Sequence, residues 1–339
     1  MKNLFKTKWL SIILLVILGV CAFSIGGFSQ EEKIILKFGH CHTVGSILDK
    51  TAHKFSEIVK EKSNDRVEVD IFPGAQLGQE KEAAEGVLMG SLQISFITPA
   101  FFQDIAKGFG LDLLPFVFKD NDQVSMVFNE SPIGEELNRR LIEKGARVLG
   151  WIPLGMRQMI FVDKDIKKIE QFKGLKMRSP ENEIWVEMYR AFGSRPTTIT
   201  WGECYTALQT GVVEGMCSPL TSLIDMKFAE VVKYCLLTSH MTGEMIMIIN
   251  EKTFQGLPND IQKIIIEASH EATVYGSELT REAEREVITT LKEQYGIKFS
   301  EPTEEDYVKF KEAVIPMVDK WAKEHDCVDL LESIRKLTK

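Results

Sequence analysis

The stretch that decides the fold is Gln171–Pro219, QFKGLKMRSPENEIWVEMYRAFGSRPTTITWGECYTALQTGVVEGMCSP. Its first ten residues hold a short apolar run with Leu175 and Met177, then Arg178, then Ser179-Pro180. Proline ends a ladder or a helix because it has no N–H to donate, so Arg178 is expected at a strand end or in the loop beyond it. Its guanidinium stays charged at any working pH, and the planar fork matches both oxygens of a carboxylate. Glu181–Gly193 is helix-like. Cys204–Thr210 reads as a short helix with Gly211 as its cap, and Val212–Met216 as a buried strand closed by Ser218-Pro219. Ligands in open α/β sheets collect beyond strand ends, so the block frames a candidate site.

Working outward, the chain before this block alternates strand and helix periods. Ile34–Phe38 is a strand ending in Gly39-His40-Cys41-His42, and Ser46–Lys62 a helix with Leu48, Ala52, Phe55, Ile58 and Val59 on one stripe. Val67–Ile71 is the next strand, Pro73–Gly78 a loop into the helix Gln79–Met89, and Leu92–Thr98 a third strand. That β-α-β-α-β order implies a parallel sheet with its loops gathered at one edge. A helix over Gly134–Lys144 and strands over Val148–Trp151 and Gln158–Val162 follow, with Pro153–Gly155 the first crossing between two lobes and Arg157 at the start of the second strand. Beyond the block, Met245–Ile249 is an apolar strand returning to the first lobe. From Leu257 a helix runs to about Tyr295, with Pro258 in its first turn; at about 1.5 Å per residue it approaches ~50 Å. A pair of helices broken near Gly276 is the alternative. Glu304–Glu324 is a last amphipathic helix with a kink at Pro316.

FKGLKMRSP, WGECYTALQTGVVEG and the closing Ser218-Pro219 resemble the solute-binding proteins of tripartite ATP-independent periplasmic (TRAP) transporters, the type that binds C4-dicarboxylates and sugar acids. The commoner form of the second motif is E-x-Y-x-A-L-Q-x-G-V-V-D-G-x-E-N-P. This chain keeps Glu203, Tyr205, Ala207, Leu208, Gln209 and Gly211, and departs from it at Glu214, Met216, Cys217 and Ser218. The resemblance implies an α/β two-lobed periplasmic binding protein (Venus-flytrap) fold, with hinge-linked parallel or mixed sheets and a long domain-spanning helix. Residues 30–153 with about 243–280 would form lobe I, 154–242 with about 281–310 lobe II, and 311–339 a C-terminal helix on both.

It also implies site residues. Arg178 would fork the ligand carboxylate, Arg157 would be a second cleft arginine, Ser218 would stand where a ligand-binding Asn is usual, and Trp201 would lie against the ligand. His40, Gln79 (after the FPGAQLG loop) and His240 are further cleft candidates. A structural ion pair would explain either arginine equally in sequence terms, and core packing would explain Trp201. The partners implied are a small organic acid and the small and large membrane subunits of a permease driven by an ion gradient; the protein would be a monomer without a cofactor. A sensor that reports ligand to a signalling receptor is the alternative.

The length leaves room for two α/β lobes, each with its own core. The 339 residues are 44% hydrophobic and carry a formal charge of −8, which argues against general affinity for nucleic acid or anionic lipid. Lys2, Lys6 and Lys8 precede an apolar run over 10–20, the form of a secretory leader cleaved between about Ser24 and Gln30, which points to the periplasm. Lipidation at Cys21 is the alternative. Outside that leader five cysteines remain, an odd set without CxxC spacing, although Cys204 and Cys217 could meet. His40 and His42 could share one side of a strand, but no third ligand stands near, so no metal is expected. No G-x-S-x-G elbow, P-loop, G-x-G-x-x-G or H-E-x-x-H occurs, so no enzyme is expected.

Overall fold

Residues 33–338 are described by the computed structural model; the leader, Cys21 and the expected cleavage zone lie outside them. The strands are β1 (Ile34–Gly39), β2 (Val67–Phe72), β3 (Ile94–Ile97), β4 (Ala146–Phe161), β5 (Lys176–Ser179), β6 (Arg195–Thr198), β7 (Gly215–Pro219), β8 (Tyr234–Asn250) and β9 (Lys298–Ser300). They join in one sheet of order β2-β1-β3-β8-β4-β7-β5-β6, with β9 on β8. The sheet is mixed, not simply parallel: β1–β3, β5–β6, β5–β7 and β8–β9 run parallel, while β3–β8, β4–β8 and β4–β7 run antiparallel.

β4 and β8 hold the two ends of this sheet together. Val148–Trp151 and Gln158–Val162, expected as separate strands, belong to one 16-residue strand. Its pairing with β8 shifts register between Val148 and Gly150, Pro153 and Met156, and Arg157 and Met159. Such bulges bend a strand and let it carry a proline that cannot donate to the ladder, which is how β4 passes through Pro153. β8 likewise extends well upstream of the expected Met245–Ile249. Where the strands cross, backbone lies against backbone. A Cβ on Gly243 would stand 2.7 Å from the Gly155 carbonyl and 2.5 Å from Pro219 Cγ, so only glycine fits there. β7 starts later than the expected Val212–Met216: Val212 is exposed, and Glu214 N donates to Lys176 O to open the pairing. Ser218 and Pro219 therefore sit inside the strand.

Helices cover the faces. α1 (Ile47–Lys62) starts at Ser46, whose hydroxyl accepts from Asp49 N, and α2 (Glu80–Met89) ends at Gly90 in the left-handed conformation. α3 (Glu183–Ala191) is capped by the Asn182 side chain accepting from Ile184 N. α4 (Asn259–Tyr295) is one continuous 37-residue helix, about 55 Å long, and resolves the two expectations for this segment. It passes Gly276 unbroken because that residue is a contact point: a Cβ there would lie 2.6 Å from Thr51 Oγ1 of α1. Its N-terminal half pairs with α1 through Lys62 to Glu267 and Glu271, and its C-terminal half buries Val287 and Leu291 with Leu220, Phe228 and Val232. α5 (Glu304–Glu324) continues through Pro316, and a further helix, Val328–Leu337, follows it.

The β5–β7 end has a core of aromatic rings: Phe172 meets Phe161, Phe192 and Phe310 edge-on at 5.4–5.6 Å. Pairs of that geometry are worth about 0.5–1.5 kcal/mol each beyond their burial. From Ile35 onward the chain gathers into one compact unit, so contact density alone draws no boundary between the ends of the sheet.

Candidate functional site

A small cavity of about 50 Å³ lies at the strand crossing, lined by residues of β4, β5, β7 and β8 and the segments beside them. Arg178 and Arg157 enter it from strands on either side of β7: Arg178 pairs with Met216 and Arg157 with Pro219. Arg178 is 4% exposed. Its Nε donates to Ile199 O at 2.9 Å, and its Cζ stands 5.4 Å from the Trp201 ring centroid. That leaves both terminal amino nitrogens without a protein partner among the described residues. Arg157 donates through Nη2 to Cys217 O at 2.6 Å and through Nε to Cys217 Sγ at 3.2 Å, with its Cζ 5.3 Å from the Trp185 ring.

Neither guanidinium forms an ion pair with a described residue. Two unpaired buried charges on the strands either side of β7 are expensive unless something anionic joins them. The backbone and sulfur bonds fix the stems, the indole rings cover one face of each fork, and the unbonded N–H groups point the remaining capacity at the cavity. A planar anion is what this arrangement can hold.

Beneath Arg157 the chemistry is unusual. Burial pushes the Cys217 thiol up, but Arg157 beside it, and after it His240 and Tyr189, bring it down to about 5. The Cys217 amide also donates to Tyr189 Oη at 2.7 Å. A thiolate here would partly offset the Arg157 charge from below. Cys204 and Cys217 do not pair; the five cysteines among the described residues are buried thiols.

The expected residues divide. Arg178, Arg157 and Trp201 line the cavity. Ser218 does not: it is fully buried and its hydroxyl donates to Pro219 O at 3.1 Å. Successive strand residues face opposite sides, and Cys217 and Pro219 take the side of Arg157, so Ser218 turns away. His40 is also behind the wall, with Nε2 3.4 Å from Asp49 Oδ1, and its neighbour-but-one His42 lines the cavity instead. Burial lowers His40 to about 4 despite Asp49, and lowers His42, with His40 adding, to about 3, so both rings are neutral near pH 7. His240 is fully buried, its Nδ1 2.7 Å from Thr238 Oγ1. Gln79 is the N-cap residue of α2 and packs against Gly202, outside the lining.

Of the lining residues that escaped the sequence reading, three bear on what the cavity can bind. Glu80 follows Gln79 and accepts from Thr98 N; burial raises its carboxyl against the opposing Thr98 bonds and the two arginines. Trp185 looked like helix-core stripe. Glu244 had a signal that went unused, a lone carboxylate heading the apolar run MIMII. Burial, and after it Asp112, raise its carboxyl well above the usual range.

Residues 38–324 match the family described as bacterial extracellular solute-binding protein, family 7. The chain is 28% identical over 292 residues to the C4-dicarboxylate-binding periplasmic protein of Rhodobacter capsulatus, covering 86% of this chain and 87% of that one. Among solved structures it resembles a TRAP periplasmic solute-binding protein from Polaromonas bound to D-erythronate (TM-score 0.84, 28% identity, 89% of this chain and 98% of that one). It also resembles a sugar acid-binding protein from Advenella mimigardefordensis in complex with galactonate (TM-score 0.86, 25% identity, 91% and 98%). The two-lobed α/β architecture expected from the sequence is the one these neighbours share.

Proposed function

The chain belongs to family 7 of the bacterial extracellular solute-binding proteins, and from that premise we propose how it binds its ligand and what it serves. It is an extracytoplasmic solute-binding protein of a TRAP transporter that takes a small carboxylate-bearing organic acid into the cavity at the strand crossing. The observation that carries the binding reading is the pair of buried guanidinium groups, Arg178 and Arg157, with no carboxylate of the protein on either. D-Erythronate and galactonate in the two neighbouring structures each carry the group such a pair would take. The ligand carboxylate docks across the terminal nitrogens of Arg178, with Arg157 adding a second donor and the indole of Trp201 setting the plane.

Closure follows from the same geometry. We assign lobe I to residues 30–153 with about 243–280, and lobe II to 154–242 with about 281–310, the C-terminal segment packing on both. The hinge is then the bulged stretch of β4 at Pro153–Gly155 and the facing part of β8 at Gly243. Arg178 and Arg157 come from one side of that hinge and Glu80 and Glu244 from the other. A ligand touching both sides favours the closed state by its differential affinity for it. The closed form delivers the acid to the membrane subunits of a permease, and the leader exports the chain to the periplasm.

A thermal-shift screen over dicarboxylates, aldonic and uronic acids and other organic acids tests the reading. A binder at one hundred times its dissociation constant stabilises by about 2.7 kcal/mol. Equilibrium dialysis then recovers the ligand, which should return chemically unchanged. Failure of every carboxylate to shift the melting curve would remove the proposal.

A further inference from the structure

The cavity that holds two arginines also holds an acid with nothing to bind. Glu244 is 3% exposed, lines the cavity, and its Oε1 has no hydrogen-bond partner among the described residues. Asp112 nearby is 1% exposed with both carboxyl oxygens unpartnered, and the Thr242 hydroxyl, donating to Asp112 O at 2.7 Å, fixes that turn against β8. On β4, Glu244 faces Pro153 and Met241 faces Arg157, so the backbones of Glu244 and Arg157 lie on the two sides of the crossing. The arginines are the only cationic side chains in the lining described here, His42 being neutral near pH 7. Arg178 and Arg157 act on Glu80, whereas the neighbouring charge felt by Glu244 is Asp112.

We propose that Glu244 determines specificity: the ligand offers a hydrogen-bond donor, a hydroxyl or an ammonium, to Glu244 Oε1, and does not carry a second carboxylate there. The inference rests on the carboxylate reading above and narrows it. A buried acceptor without a donor is costly, and a ligand O–H or N–H supplies what Oε1 lacks. A second ligand carboxylate would instead meet Glu244, with Asp112 behind it and Glu80 in the same wall, and could be held only while those acids stay protonated, with none of the cationic partners that Arg178 and Arg157 give the first carboxylate. Discrimination of this kind is strong because the wrong ligand leaves a buried polar group unpaired. The ligand class is thus a monocarboxylate with a polar, proton-donating far end.

Matched acids test this on the unmodified protein by calorimetric titration. One set is succinate, 4-hydroxybutyrate and 4-aminobutyrate; the other is gluconate against glucarate. In at least one set, an acid ending in hydroxyl or ammonium should bind tenfold or more tightly than its dicarboxylate counterpart. Glu244→Met keeps the side chain's size, removes the acceptor and should erase that advantage. Glu244→Gln separates the two donors, since it keeps an acceptor for a hydroxyl but cannot ionise opposite an ammonium. Binding in which neither set shows that advantage, succinate and glucarate holding as tightly as their partners, overturns the inference and leaves the carboxylate reading standing. Absence of binding by every acid in both sets removes both.

Discussion

Arg178→Ala separates a binding arginine from a structural one, because the protein contacts of Arg178 are few and known. Folded, the side chain makes one hydrogen bond to protein, Nε to Ile199 O, and lies over Trp201. The bond is worth about 0.5–1.5 kcal/mol net, and the cation–π contact about 0.5–2 kcal/mol. Against these stands relief of an unpaired charge that is 4% exposed, a cost of comparable size or larger. The sum for the unliganded protein is near zero, within about 1 kcal/mol, or at most a few degrees in melting temperature. The liganded state is different. Truncating one partner of a desolvated, hydrogen-bonded charge pair costs about 2–5 kcal/mol, which is roughly thirtyfold to several-thousandfold in affinity. Arg178→Lys should lose most of that too, since an ammonium keeps the charge without two parallel donors. Calorimetric titration of both variants, beside their melting curves without ligand, reads the two quantities separately. Near-native affinity in Arg178→Ala, or a collapse in melting temperature with affinity retained, would refute the reasoning.

Gly276→Ala should destabilise the protein although alanine is the better helix former by about 1 kcal/mol. The new Cβ would lie 2.6 Å from Thr51 Oγ1 and 3.2 Å from its Cγ2, and overpacking of this kind costs about 1–3 kcal/mol; a rise in melting temperature would contradict the packing. Ser218→Asn should also lower the melting temperature and leave the ranking of ligands unchanged, because the position is fully buried and faces away from the cavity. Asp112 supplies a pH test: burial raises its carboxyl to about 7 against an ordinary 3.8. A raised folded value means its contribution is fully present below pH 3.8 and is lost as pH rises through 7. Asp112→Asn should therefore gain stability over the parent progressively between about pH 4 and 8, by up to about 4 kcal/mol at 1.36 per pKa unit. Denaturant melts at both ends of that range check it, and a constant difference would show Asp112 ionised throughout.

The sequence showed the elements well where periodicity and punctuation agreed. α1 and the ends of the long α4 were legible to within a residue or two, although the Ser46 cap was not called and a break near Gly276 stayed open, and the block around Arg178 located the cavity. What it hid were matters of pairing. Ser218 was expected in the cleft because the resemblance puts a ligand-binding Asn there, and the register that sets it opposite Gln158, facing away from Arg157, was not readable. The bulges in β4 were invisible because they depend on how Pro153 sits against β8. His40 and His42 were separable only once Asp49 was seen beside the former. Glu244 was readable in principle, since a carboxylate heading an apolar strand needs a partner or a purpose.

The order of strands also governs how this chain can be assembled in time. β3 is flanked by β1 and β8, and its Ile94 lies opposite Ile249. The N-terminal third of the protein therefore cannot close its own sheet; one edge stays open until the chain beyond residue 249 is available. Pairings that distant in sequence make folding slow, and the waiting edge, with Ile94, Phe96 and Ile97 all buried in the finished protein, is a template for association with other chains. Fragments ending before β8 should accordingly be recovered as aggregates, not as a folded half, and a partly synthesised chain would need a holding chaperone through that interval.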